Sequence, residues 1–169
     1  RVMIVTLRVE GCHFGIMDRK KLFSGWCLGQ IYSNGLIFLS SATQSELNSI
    51  QTAMNSGVRA IFSLPRYGHV EVSALHSKLL LPSIQTIRSR IMALEAWKRF
   101  SSQVDSQAAI GPITRGRKNK NIPLPDQKGH RGKMFNNMLV KAWNTLPLEI
   151  KNQEGKAGAK REIKKMYAV

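Results

Sequence analysis

Acidic side chains are scarce in this chain. Only 10 Asp and Glu stand against 26 Lys and Arg in 169 residues, a formal net charge of +16. They are scattered singly, at Glu10, Asp18, Glu46, Glu71, Glu95, Asp105, Asp126, Glu149, Glu154 and Glu162, with no Asp-Asp, Asp-x-Asp or His-Glu-x-x-His. Two-metal phosphoryl transfer needs clustered carboxylates that hold cations about 3.5–4 Å apart, so the pattern speaks against it. Cysteine is almost as sparse. Cys12 and Cys27 cannot build a disulfide framework and point to an intracellular compartment, nuclear or cytoplasmic. With His13 they offer one adjacent pair, where zinc sites usually use two short-spaced pairs, so no metal is expected.

Other catalytic patterns are missing too. Gly155-Lys156-Ala157-Gly158-Ala159-Lys160 reverses the order of a P-loop and reads as a flexible basic connector. Ser63, Ser73 and Ser77 have no nucleophile elbow around them, and His69 and His76 suit polar-face or capping roles. No catalytic residue, cofactor or enzyme activity is expected. Long apolar runs are absent as well. Ile31 to Leu39 is interrupted by Ser33, Asn34 and Gly35, well short of the roughly 18–20 residues of a spanning helix, which predicts no transmembrane segment. The N-terminus shows no sustained apolar core or cleavage site of an export signal. It opens on Arg1 rather than Met, which suggests a fragment or processed chain.

What is present is enough for a core: 43% of residues are hydrophobic, over a length of about one ordinary domain. A surface this basic favours polyanions, above all nucleic acid, because each neutralised phosphate releases counterions; an anionic membrane is the rival partner. The charge is uneven. Residues 1–87 hold 8 basic and 4 acidic side chains, and residues 88–169 hold 18 and 6. In the second half, Thr114 to Lys120 and Lys128 to Lys133 flank Ile122-Pro123-Leu124-Pro125, the pattern of a basic, proline-containing loop between helices.

Periodicity predicts a mainly α protein, a small helical bundle. Partial alternation of Met3, Val5 and Leu7 with Ile4, Thr6 and Arg8 adds a short N-terminal strand. From Arg19 to Leu39, Leu22, Phe23, Trp26, Ile31, Tyr32 and Leu36 suggest a buried helix notched by Gly25, Gly29 and Gly35. Leu47, Ile50, Met54, Val58, Ile61 and Phe62 form the next stripe, opened by a Thr43/Glu46 capping box and stopped by Pro65. A short helix over about Glu71 to Leu79 follows. Pro82 then suits the first turn of a long helix carrying Ile84, Ile87, Ile91, Leu94 and Trp97. Beyond the loop, Met134, Phe135, Met138, Leu139, Ala142, Trp143 and Leu146 repeat until Pro147, and a helical tail covers Glu154 to Tyr167. All three tryptophans, Trp26, Trp97 and Trp143, fall on apolar faces and are expected in the core. The resulting division is 1–18 unassigned, 19–104 helical, 105–132 basic loop and 133–169 a C-terminal helical segment.

Two segments carry a resemblance. Leu47, Gln51, Asn55, Arg59 and Ile61 follow a Leu-x-x-x-Gln-x-x-x-Asn-x-x-x-Arg-x-Ile pattern, and Trp143-Asn144-Thr145-Leu146-Pro147 follows Trp-Asn-x-Leu-Pro, with Ile113 to Arg117 and Ile122 to Pro125 between them. In this order they resemble the region after the palm of non-LTR (LINE-like) retrotransposon reverse transcriptases. The resemblance implies a thumb-like, noncatalytic portion of an RNA-directed DNA polymerase that helps hold template RNA or primer DNA, with the rest of the polyprotein as a partner. The aromatic-x-Asp-Asp motif of that family's palm is absent, and Ala159-Lys160 replaces its common Phe-Lys pair. The expected phosphate-contacting residues are Arg115, Arg117, Lys118, Lys120, Arg131 and Lys133, with Arg59 as a further candidate whose other reading is a helix-face ion pair. The alternatives are a basic module that docks an acidic protein or anionic membrane, and a retrotransposon relic without function.

Overall fold

The computed structural model describes residues 13–65, 69–107, 119–123 and 131–167. Among them every regular element is helical, as the periodicity predicts: α1 (Ile16–Phe23), a π-helical turn (Ser24–Leu28), α2 (Gly29–Ser41), α3 (Gln44–Ile61), α4 (Val72–Leu79), α5 (Ile84–Gln107), α6 (Arg131–Thr145), the single turn α7 (Leu148–Lys151) and α8 (Lys156–Met166). The expected N-terminal strand lies outside the described residues, as does Cys12. The chain forms two compact units, the first ending at Ile87 and the second running from Arg88. The boundary between them falls inside α5.

In the first unit, α3 is built as its sequence dictates. The Thr43 N–H donates to Glu46 Oε2 at 2.7 Å and the Glu46 N–H to Thr43 Oγ1 at 3.3 Å, closing the predicted capping box. Leu47, Met54, Val58, Ala60 and Ile61 are buried along one face. The helix stops at Ile61, ahead of Pro65, and Ser63 takes a left-handed φ of 54°. Its last turn is satisfied from a distance. The buried Arg19 donates through Nη1 to the Ile61 carbonyl at 3.3 Å and to Ser63 Oγ.

The segment from Arg19 to Leu39 departs from the buried helix expected of it. A π turn repeats at i and i+5 rather than i and i+4, which brings Leu28 into line with Phe23; both are buried, and Leu39 continues the line. Trp26 is left on the opposite side, 69% exposed, which corrects its assignment to the core. Leu22, Tyr32, Ile37 and Phe38 are also exposed, so only a narrow strip of this segment is covered.

Two smaller corrections concern α5. Ser83, not Pro82, opens it: Ser83 Oγ accepts from the Thr86 N–H at 3.2 Å, and Pro82 precedes this cap. The buried stripe beyond Ile87 is centred on Met92, Ala93, Ala96 and Trp97, with Ile91 and Leu94 half-buried, because two alanines offer the narrow face. In the second unit Trp97, Leu139, Val140, Trp143, Leu146, Ile150, Ala159 and Ile163 are buried. No helix among the described residues is long and apolar enough to cross a membrane.

Gly57 lies close against Phe23, since a Cβ placed there would overlap the Phe23 ring. Replacing Gly57 by Ala raises helix propensity by about 1 kcal/mol, whereas forcing a methyl group into a packed ring costs about 1–3 kcal/mol. Gly57→Ala should therefore lower the urea midpoint, and adding Phe23→Leu should restore part of it. A midpoint at or above that of the parent chain would contradict this packing.

Candidate nucleic-acid interface

The second unit carries twelve of the sixteen net positive charges of the chain. Of the residues expected to contact phosphate, Arg115, Arg117 and Lys118 lie outside the described residues, and Arg131 and Lys133 are placed on the backbone of the first turns of α6. Lys120, within the basic loop, is half-exposed and takes a left-handed φ of 52°. A non-glycine residue in that conformation is strained and persists only where its neighbours hold it.

Those neighbours come from α6 and α7. The indole N–H of the fully buried Trp143 donates to the Lys120 carbonyl at 2.6 Å. One residue on, the Asn144 amide binds both backbone groups of Ile122: Nδ2 donates to the carbonyl at 2.8 Å and Oδ1 accepts from the N–H at 2.9 Å. The local sequence prepares this contact. Ile122 precedes Pro123, and a residue before proline is held extended, where its N–H and C=O point to one side as in a strand pair. A primary amide then replaces the missing partner strand.

Lys151 completes the clamp. Its ammonium donates to the Asn119 carbonyl at 2.9 Å and to Asn121 Oδ1 at 2.7 Å, and it lies 5.5 Å from the centroid of the Trp143 ring. It is only 4% exposed, and burial pushes its pKa down to about 8. Trp143 is itself fixed by an edge-on contact with Phe100, centroids 6.0 Å apart, while Trp97 donates to the Ile150 carbonyl at 3.1 Å and holds α7. The segment Trp143 to Lys151 thus fastens the backbone of residues 119–122. The sequence pattern singles out Trp143 and Asn144 without revealing what they bind, and it does not single out Lys151; the only local signal of the clamp is the Ile122-Pro123 step.

The polar positions of the α3 pattern also turn inward. Gln51 Oε1 accepts from the Ile84 N–H at 2.8 Å, and Gln51 Nε2 donates to Asn55 Oδ1 at 2.8 Å. His76 Nε2 lies 3.0 Å from the same Asn55 oxygen, and burial pushes its pKa down, which favours the neutral imidazole. Arg59 directs Nη1 and Nη2 to the carbonyls of Pro65 and Val70, at 3.5 and 3.4 Å. It is half-exposed and ties α3 to Pro65 and to Val70 ahead of α4. Among the described residues no three His, Cys, Asp or Glu side chains gather as a metal site.

No protein-family model matches the chain, and neither a curated protein nor a solved structure is significantly similar to it.

Two outcomes test the clamp. Asn144→Ala leaves both Ile122 backbone groups without their partner, which should cost about 1–3 kcal/mol and speed amide exchange at Ile122; unchanged exchange there would refute the contact. Lys151 predicts a pH effect of definite sign. The unfolded lysine keeps its proton up to about 10.5, whereas the folded one releases it near 8, so between these values the unfolded chain holds more protons and stability rises with pH. Across that window the parent chain should gain stability relative to Lys151→Met. Parallel pH profiles would contradict the burial of the charge.

Proposed function

We infer that this chain is a noncatalytic, nucleic-acid-binding portion of a LINE-like reverse transcriptase, from the region after the palm, which holds template RNA or primer DNA by its phosphate backbone. The observation that supports this most is the clamp. The two C-terminal segments on which the resemblance rests, Ile122-Pro123 and Trp143-Asn144, are 22 residues apart in sequence and joined by direct hydrogen bonds. Residues 119–122, which the sequence places between the two basic runs, are thereby tied to a folded helical unit. Binding rests on Arg115, Arg117, Lys118, Lys120, Arg131 and Lys133; Arg59 has a bridging role within its own unit. A basic module for an acidic protein or membrane is the second reading, favoured by the exposed Trp26, Ile37 and Phe38 of the first unit.

The test is the salt dependence of binding to a labelled 20-nucleotide RNA and its DNA counterpart. The log of the binding constant should fall linearly with log salt. Replacing these six residues by Ala should flatten the slope by about 0.7 for each single-strand phosphate that is no longer neutralised. An unchanged slope would remove the loop from the interface. Nuclease-resistant co-sedimentation with anionic vesicles, without oligonucleotide binding, would favour the second reading.

A further inference from the structure

We propose that the outer face of α8 is a second, preformed surface for the nucleic-acid phosphate backbone, separate from the basic loop and resting on the same nucleic-acid reading. Five of the eleven residues of this helix are basic, Lys156, Lys160, Arg161, Lys164 and Lys165, and all five are exposed. Lys156, Lys160 and Lys164 recur every fourth residue, which sets them about 6 Å apart along the axis on one side. Glu162 is the one acid in the helix, and it is paired with Lys165 at 2.8 Å.

The helix is held with that face outward. Ala159 and Ile163, centred about 80° around the axis from the lysine row, are buried, and Gly158 abuts the Gln153 side chain so closely that a Cβ there would be 2.7 Å from Oε1. At the other end, Arg90 Nη2 donates to the Tyr167 carbonyl at 2.7 Å and caps the last turn. A cationic row fixed in this way loses little freedom when a polyanion binds.

As it stands, the arrangement works against the helix. Lys156 with Lys160, Lys160 with Lys164, and Arg161 with Lys165 are like-charge pairs at i and i+4, each destabilising. Lys156 also lies in the first turn, where the helix dipole disfavours a cation, although Lys164 and Lys165 in the last turn are favoured by it. A bound polyanion relieves all of these at once. A membrane surface does not fit this face. An interfacial helix must give its apolar side to the lipid, and here that side is occupied by the protein core, with Met166 the one large apolar residue of α8 that is exposed.

The triple variant Lys156→Gln, Lys160→Gln, Lys164→Gln tests the surface in the 169-residue chain. Glutamine keeps helix propensity and removes two of the repulsive pairs, so circular dichroism should show an intact helix and the thermal midpoint should not fall. Anisotropy with a labelled 20-nucleotide RNA should show a salt slope shallower by about 2, as expected when three single-strand phosphates are no longer neutralised. An unchanged affinity and slope in the folded variant would overturn the proposal. If the loop variant loses binding and this one does not, the α8 surface alone falls. If the parent chain binds no RNA at all, the nucleic-acid reading falls with it. Binding to phosphatidylserine vesicles that the triple variant loses while RNA binding is kept would replace the nucleic acid by a membrane and refute the assignment.

Discussion

The second unit depends on one requirement, that the backbone polar groups of a loop lying against a packed helix must find partners there. Trp143, Asn144 and Lys151 meet it by donating to the carbonyls of Lys120, Ile122 and Asn119, and Asn144 also accepts from the Ile122 N–H. Each partner is placed by burial elsewhere. Trp143 has no exposed surface and is set edge-on to Phe100, and Lys151 ends a helical turn whose Ile150 carbonyl is held by Trp97. Hydrophobic packing thus aims the polar groups, and the polar groups hold the loop. The left-handed turn at Lys120 persists because its surroundings fix it.

The first unit solves its turns in the same way. Arg19 reaches across to finish α3, and Gln51 reaches from the middle of α3 to the first N–H of α5. Polar residues that sit on a helical surface in a one-dimensional view become internal connectors, and Arg59, singled out for its charge, joins them. The basic character that reaches solvent is then borne by other residues. The five basic residues of α8 are exposed on a helix that buries Ala159 and Ile163.

Local physics made much of the fold legible in the sequence. The capping box at Thr43 and Glu46 involves residues three apart, and the apolar stripes of α3 and α6 follow helical periodicity, so neighbours along the chain sufficed to find them. Trp26 was not legible in this way, because counting at 3.6 residues per turn misses the extra residue that the π turn inserts. The clamp was hidden for another reason. Its donors and acceptors lie 22 to 32 residues apart, and no periodicity encodes that distance.

The sequence by itself determined the helical class, the capped start of α3, the scarcity of carboxylates and the concentration of positive charge beyond Arg88. These follow from composition and from interactions within one or two turns. Only the tertiary structure decided that Trp26 faces outward, that Asn144 stands in for a strand, that Lys151 is enclosed, and which side of α8 carries its charge into solvent. Burial is a property of what packs against a residue, and those partners come from distant parts of the chain.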